Sequence, residues 1–374
     1  MTIVYGGNIH GKLTPTMICG GSHAGGFARK AFALDELREK KKNVIFVDNG
    51  GLFAVPARKD QELRARQSFA LYDFMQLDAL NLGQREFYFG LTYLAKAAEK
   101  VSFPLVSSNI ESSTPLPWMK KFVVVESGGY KVGIVGVLPE KSFDTYVPAE
   151  GVKGLTITPP KDALAKVVPE VRRQADMVLL LSQLDDDATT ALVKEIPGID
   201  LAVSSSDKRL CELPPEKGKL VLPSGVKGQD FLTVSVTKEN DKLVISQNEP
   251  QLLDQPDKIH PLVSQMIEDS TKDYMEVLRA QQREKKANVK VFHSVEEFNR
   301  MIEEQKERLQ AESGQGQGEE IGAKLKYNGQ EIPAKIRLHR KPKPGAEGED
   351  GSAQETDGAA METAPQQGTE GETK

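Results

Sequence analysis

The stretch Gly7-Asn8-Ile9-His10-Gly11 follows a short β-branched and aromatic run at residues 2–5. Such a run predicts a strand, and the Asn and His, two residues apart, then point to the same side of its end. A second apolar run at residues 44–47 ends in Asp48-Asn49-Gly50-Gly51, with a helix expected over residues 28–42 between the two. This βαβ unit predicts a site at the strand ends, where open α/β sheets bind their ligands.

Composition limits the class of protein. The chain has 374 residues, enough for one large domain or two ordinary ones, and is 39% hydrophobic and 28% charged. Its net charge of −5 is too small to indicate a nucleic-acid partner. No apolar run has the length of a membrane span, so we expect no integral membrane segment.

The N-terminus and the cysteines predict a compartment. The first residues show neither the basic nor the apolar region of a signal peptide, so we expect a cytoplasmic protein, or a periplasmic one if a leader was removed. The two cysteines, Cys19 and Cys211, make no disulfide framework and are compatible with a reducing compartment.

Strand and helix patterns alternate up to about residue 237, which predicts a layered α/β domain. Within it, we expect a hairpin formed by residues 121–126 and 130–137, followed by a loop over residues 138–158. The predicted segments of the chain are a domain over 1–250, a helical extension over 251–312, a linker with a basic hairpin around Asn328-Gly329 over 313–343, and a disordered acidic tail over 344–374.

Polar motifs follow the predicted strands in a fixed order. They are Asn8-Ile9-His10-Gly11, Gly25-Gly26-Phe27-Ala28-Arg29, Gly50-Gly51, Gly83-Gln84-Arg85-Glu86, Ser182-Gln183 and Ser205-Ser206-Asp207-Lys208. This order resembles the calcineurin-like metallophosphoesterases, specifically their 5′-nucleotidase branch, over residues 2 to about 237. The resemblance implies a four-layer αββα sandwich, with the region beyond residue 250 too short and too polar for the nucleoside-binding domain of that branch.

The resemblance also implies a reaction, hydrolysis of phosphoesters by two divalent metals. Most of the family's site residues are replaced here. Asn8 and Gly51 stand at the two aspartates, Gln84 at the asparagine, and Arg85, Gln183, Ser206 and Lys208 at histidines. His10 is kept, and so is Glu86, which is not a direct ligand in the family.

Charge is the argument against a metal centre. The replaced positions bring no carboxylate and add two cations, Arg85 and Lys208, which would repel divalent ions at short range in a buried site. We therefore predict no metal ligands, no cofactor and no catalytic residue. Aspartates near the lost positions could rebuild a site, but those at 185–187 are expected to cap the following helix.

The altered positions could instead bind an anion. Arg85 and Lys208 can contact a phosphorylated or carboxylated ligand, with hydroxyl and amide donors around them. The predicted ligand-binding residues are Asn8, His10, Gln84, Arg85, Gln183, Ser206 and Lys208. The alternative is that Arg85 pairs with Glu86 or an aspartate and fills an abandoned cavity.

These observations leave three functions open. The first is a pseudoenzyme that binds a phosphorylated or carboxylated ligand or a protein partner. The second is a phosphoric ester hydrolase of 5′-nucleotidase type with an atypical site. The third is a thiol-redox role for Cys19, in a glycine-containing loop where a nearby cation would lower its pKa.

Overall fold

The computed structural model describes residues 1–18, 21–55, 61–144, 147–206, 221–240, 242–287, 290–292, 300, 304, 319–327 and 330–338. Predictions for Cys19, Asp207, Lys208, Cys211 and the acidic tail lie outside these residues. The chain divides into two compact units, Met1–Met275 and Glu276–Lys374.

Most strands of the first unit are short. In chain order they are β1 (Thr2–Gly6), β2 (Thr16–Met17), β3 (His23–Ala24), β4 (Val44–Asp48), β5 (Ala79–Asn81), β6 (Leu105–Val106), β7 (Ile110–Ser112), β8 (Met119–Lys120), β9 (Phe122–Ser127), β10 (Tyr130–Val137), β11 (Leu155–Ile157), β12 (Met177–Ser182), β13 (Leu201–Ser204), β14 (Val221–Pro223), β15 (Asp230–Glu239), β16 (Lys242–Gln247) and β17 (Gln251–Leu252).

The α-helices are α1 (Phe27–Lys40), α2 (Glu62–Phe74), α3 (Leu91–Ala98), α4 (Pro160–Arg172), α5 (Asp186–Glu195) and α6 (Pro261–Ala287). Asp185 caps α5, since its carboxylate accepts the backbone N–H of Ala188 at 2.8 Å. This contact confirms the predicted capping role of that acidic run. None of the helices that the structure describes is long and apolar enough to cross a membrane.

Two sheets form the centre of the first unit. One has the order β16-β15-β1-β4-β5-β6-β8, with β17 also paired to β15, and the other has the order β14-β13-β12-β10-β9. Side chains from both sheets, among them Ile3 and Leu179, share one buried core. The alternate side chains Val4 and Val178 enter two outer cores, with α1, α2 and α3 on one side and α4 and α5 on the other. The predicted four-layer αββα arrangement is confirmed.

The prediction of a loop over residues 138–158 is wrong in part. The segment contains a 3₁₀ turn, Ala149–Val152, and strand β11, which pairs antiparallel with β7. Three residues are too few to show the period of a strand, and this one forms because a partner distant in sequence offers its backbone.

The second unit contains a small sheet. Strand β18 (Lys290–Phe292) runs parallel to β19 (Glu319–Tyr327), and β19 pairs antiparallel with β20 (Gln330–Leu338). These strands flank Asn328 and Gly329, the two predicted turn residues, which lie outside the described part of the chain.

Candidate functional site

The ends of several parallel strands meet at one edge of the molecule. Strands β1, β4 and β5 run parallel, so the loops after them emerge together. Asn8 N–H donates to the Gly50 carbonyl at 2.8 Å, and His10 N–H donates to the Gly51 carbonyl at 2.9 Å. The loops after β12 and β13, in the other sheet, reach the same place. We call the cluster at these strand ends the strand-end site, and its described residues are Asn8, His10, Gly51, Gln84, Arg85, Gln183 and Ser206.

Asn8 lies in the middle of this site with its side chain buried. Its amide nitrogen donates to the Ser224 hydroxyl at 3.1 Å, and its amide oxygen accepts the Ser205 hydroxyl at 3.1 Å. Because both ends of the amide have partners, Asn8 joins the loop after β1 to the loops after β13 and β14. The neutral Asn8 amide thus has hydrogen-bond partners within the protein for both its nitrogen and its oxygen, and no cation is needed to stabilise it.

Gly51 stands where the family has its bridging carboxylate. Its φ of 75° is in the left-handed region that favours glycine, and a Cβ there would lie 2.8 Å from the Asn8 amide oxygen. A side chain at this position would therefore require both a strained backbone and a displaced Asn8. The described loop therefore accommodates glycine without strain, and another side chain here would cost free energy.

Gln183 fills the space over Gly83. Its amide nitrogen donates to the Asn49 carbonyl, and its amide oxygen would lie 2.5 Å from a Cβ placed on Gly83. Asn49 in turn donates to the Ser182 carbonyl at 2.7 Å. Gln183 and Asn49 thus join the strand ends of the two sheets.

We expect Gly83→Ala to lower the free energy of unfolding by about 1 kcal/mol, because the new methyl group displaces Gln183 from Asn49. The φ of Gly83 is −90°, so alanine fits the backbone and only this contact is at stake. Chemical denaturation should show the loss in the wild-type background. In a Gln183→Ala background the same substitution should cost almost nothing, and an equal cost in both backgrounds would contradict the contact.

Glu86 is fully buried beneath the site and joins two of its loops. Its carboxylate accepts backbone N–H groups from Gly51 at 3.2 Å, Leu52 at 2.6 Å and Gly83 at 2.8 Å. Burial raises the pKa of Glu86 to about 7 although these three amides favour the charged form. The carboxylate therefore positions the loops after β4 and β5 and points away from solvent.

Arg85 lies beside Glu86 in the 3₁₀ turn Gln84–Phe87. Its guanidinium donates to the Phe53 carbonyl at 3.3 Å and also has a further interaction. Ser206 is buried directly after β13. Of the predicted ligand-binding residues, Lys208 lies outside the described chain, as does the redox candidate Cys19.

A buried charge cluster supports the site from within, and the sequence analysis missed it. Lys30 of α1 is buried and interacts electrostatically with Asp48 and Asp230. Asp48 accepts the Gly50 N–H at 2.9 Å and the Tyr72 hydroxyl. Burial raises the pKa of Asp48, and Lys30 and these hydrogen bonds act against that rise. Nothing in the local pattern of α1 distinguishes Lys30 from a surface lysine.

The donors do not match those of a two-metal centre. Among the described residues, no group of three or more His, Cys, Asp or Glu side chains is placed to hold a metal ion. At the family's ligand positions the described residues supply one imidazole, from His10, with amides and hydroxyls from Asn8, Gln84, Gln183 and Ser206.

Sequence comparisons identify phosphoesterase relatives, although no family model matches. The chain is 27% identical over 215 residues to the 2′,3′-cyclic-nucleotide 2′-phosphodiesterase/3′-nucleotidase of Haemophilus influenzae, covering 50% of this chain and 32% of the relative. It is 28% identical over 147 residues to the snake venom 5′-nucleotidase of Naja atra, covering 36% and 28% respectively. The chain thus spans about a third of the length of these relatives.

Solved structures agree on the fold. The 5′-nucleotidase precursor from Thermus thermophilus superposes with a TM-score of 0.66 at 21% identity, covering 74% of this chain and 59% of that one. The calcineurin-like phosphoesterase YfkN from Bacillus subtilis superposes with a TM-score of 0.60 at 18% identity, covering 75% and 98%.

These matches correct one prediction. We expected no cofactor, and this is wrong for the group to which the chain is related, because calcineurin-like phosphoesterases are metal-dependent. Divalent metal therefore belongs in every functional test of this protein. The chain has the calcineurin-like phosphoesterase fold, and its sequence relatives are 5′-nucleotidases and 2′,3′-cyclic-nucleotide phosphodiesterases.

Proposed function

We propose that this protein is a catalytically degenerate 5′-nucleotidase-like phosphoesterase, which binds a phosphorylated or carboxylated ligand at the strand-end site and hydrolyses phosphoesters poorly. The observation that carries the proposal is the contact between Gly51 and Asn8, where a Cβ would lie 2.8 Å from the amide oxygen. The family places its bridging carboxylate at this point. Here a side chain would need a left-handed backbone and would displace the Asn8 amide.

The neighbouring side chains support the loss of activity. Gln183 and Asn8 are both hydrogen-bonded within the protein, to Asn49 and to Ser205 and Ser224. Groups that already bind one another have to give up those bonds before they can hold a metal or a substrate. The hydrogen bonds among these side chains stabilise the strand-end site without the divalent metals and carboxylates that phosphoester hydrolysis in the family requires.

Arg85 supports the binding of an anion. Guanidinium groups bind phosphate and carboxylate through several parallel N–H donors. Arg85 donates to the Phe53 carbonyl and has a further interaction within the protein, but its five N–H donors can serve an additional acceptor. His10, in the loop after β1, adds an imidazole to the predicted ligand-binding residues, and its backbone N–H donates to the Gly51 carbonyl. The ligand is thus bound by fixed cationic and polar side chains.

The alternative is a hydrolase of 5′-nucleotidase type with an atypical site. It is supported by the names of the relatives, which are nucleotidases and phosphodiesterases. It is also supported by Glu86, whose carboxylate holds the loops after β4 and β5 together. The two functions differ in turnover, which makes an activity assay decisive.

The test is hydrolysis of bis(4-nitrophenyl) phosphate and of a nucleoside monophosphate, each with and without Mn²⁺, beside the Thermus thermophilus relative as a positive control. We expect the specific activity to be lower than that of the relative by on the order of a thousandfold, the scale on which preorganised electrostatic groups act. Turnover comparable to that of the relative, with Mn²⁺ bound in stoichiometric amounts, would overturn the proposal and establish the alternative.

Ligand binding is tested separately by calorimetric titration with inorganic phosphate. We expect Arg85→Gln to weaken binding about tenfold, because a charge-assisted contact is lost. Arg66→Gln is the matched control, since Arg66 is exposed on α2 and its described partner is Glu62 at 3.5 Å. Equal affinity in the wild type and Arg85→Gln would exclude Arg85 as a ligand-binding residue.

A further inference from the structure

A cavity lies beside the strand-end site, between the loop after β1, the loop after β4 and the start of α2. We call it the Arg64 cavity. Its described lining residues are His10, Gly11, Lys12, Phe53, Ala54, Gln61, Arg64, Ala65 and Ser68. Only His10 is shared with the residues that the sequence predicts to bind a ligand.

The charge of this lining has one sign. The charged groups are the ammonium of Lys12 and the guanidinium of Arg64, which lie with the imidazole of His10, and the described lining contains no Asp or Glu. Arg85 donates to the carbonyl of Phe53, so a further cation is bound to the backbone of the same wall. Several cationic groups around one concave surface attract an anion and raise its local concentration.

The wall is rigid on the side of the core. The Phe53 ring is fully buried and packs edge-on against Phe69 and Tyr93, with ring centroids 5.5 and 5.9 Å apart. Ser68 is buried as well, and its hydroxyl donates to the Arg64 carbonyl at 3.0 Å. This packing fixes the first turn of α2, and so the position of the Arg64 backbone, before any ligand arrives.

One polar atom in the lining indicates which other chemical group the ligand carries. The Gln61 side-chain oxygen is buried and has no hydrogen-bond partner among the residues that the structure describes. A buried acceptor without a donor is unfavourable, and a hydroxyl group of a ligand would satisfy it. Arg64 has an interaction within the protein, but a guanidinium has five N–H donors and can serve a second acceptor.

We propose that the Arg64 cavity is a subsite for a phosphomonoester that carries hydroxyl groups, such as a polyol or sugar phosphate. The phosphate lies between Lys12, Arg64 and His10, and a hydroxyl group of the same ligand donates to Gln61. This subsite goes beyond the proposed function, because it requires neither Arg85 nor Gln183 and involves no hydrolysis.

The experiment is a calorimetric titration of the full chain with inorganic phosphate and with glycerol 3-phosphate, which differ in the hydroxylated part. We expect glycerol 3-phosphate to bind more tightly. Lys12→Gln and Arg64→Gln should each weaken both ligands about tenfold, as expected for the loss of one charge-assisted contact. Gln61→Met should remove the preference for glycerol 3-phosphate and leave phosphate affinity unchanged. Arg66→Gln, on the exposed face of the same helix, should change neither.

The outcomes separate this subsite from the strand-end site. If Lys12→Gln and Arg64→Gln weaken binding and Arg85→Gln does not, the cavity holds the ligand and binding at the strand-end site is excluded. If only Arg85→Gln weakens binding, the cavity proposal is overturned. Absence of binding by the folded wild-type protein overturns both. Lys12 is exposed, so we expect Lys12→Gln to stay folded. Circular dichroism of the variant will verify this, and a loss of affinity then reports on the ligand contact.

Discussion

Lys30→Met is expected to lower the free energy of unfolding by about 3–5 kcal/mol, the usual cost of removing one partner from a buried charge cluster. The lysine is buried in α1, and its charge acts on the carboxylates of Asp48 and Asp230. Methionine has a similar length and an unbranched chain, and it lacks both the charge and the N–H donors of lysine. The carboxylates then stay buried without the cation that favours their ionised form.

Denaturant unfolding at neutral pH, followed by circular dichroism, measures this effect. Lys40→Met is the matched control, because Lys40 lies in the same helix, is 70% exposed and faces Glu36 at 3.9 Å. It should change stability by less than about 1 kcal/mol. The double variant Lys30→Met/Asp230→Asn should recover part of the loss. A cost no larger than that of Lys40→Met would show that the cluster is electrostatically neutral to folding.

Glu86→Gln is expected to change how stability depends on pH. The ordinary pKa of this carboxyl is 4.5 and burial raises it to about 7 in the folded protein. Between these two values the unfolded chain releases the proton that the folded chain retains, so rising pH favours unfolding. The difference corresponds to about 3 kcal/mol, fully present below pH 4.5 and lost as pH rises through 7.

The measurement is the free energy of unfolding of the wild type and of Glu86→Gln across this pH range. Relative to the variant, the wild type should lose about 3 kcal/mol as pH rises, because glutamine cannot ionise. At every pH, glutamine also places an N–H₂ donor among three backbone N–H donors, from Gly51, Leu52 and Gly83, so the variant carries a separate constant cost. Glu99→Gln, at an exposed position, is the control. Parallel pH profiles for the wild type and Glu86→Gln would contradict the raised pKa.

Local patterns in the chain were sufficient for most of the fold. Strands β1 and β4 are apolar runs followed by polar residues, and the sequence predicts both of them to within one residue. Runs of this kind are buried on both faces, which makes them recognisable without a partner. Strand β11 was missed, because its three residues depend on pairing with β7.

The sequence by itself determined that polar groups collect where the parallel strands end, and that Gly51, Gln84, Arg85 and Gln183 replace the residues expected of the family. The first prediction rests on the order of residues along the chain and the alternation of strands and helices, and the second rests on the resemblance of the motifs to the family.

Only the tertiary structure decided which of these groups touch. It placed Gln183 against Gly83, and the Glu86 carboxylate against the backbone amides of two loops. It also placed Lys30 close enough to Asp230, 200 positions away in the sequence, for the two charges to interact. Such contacts depend on loop backbone angles and on how two sheets face each other. These are set by packing of the whole domain, which no local pattern of residues encodes.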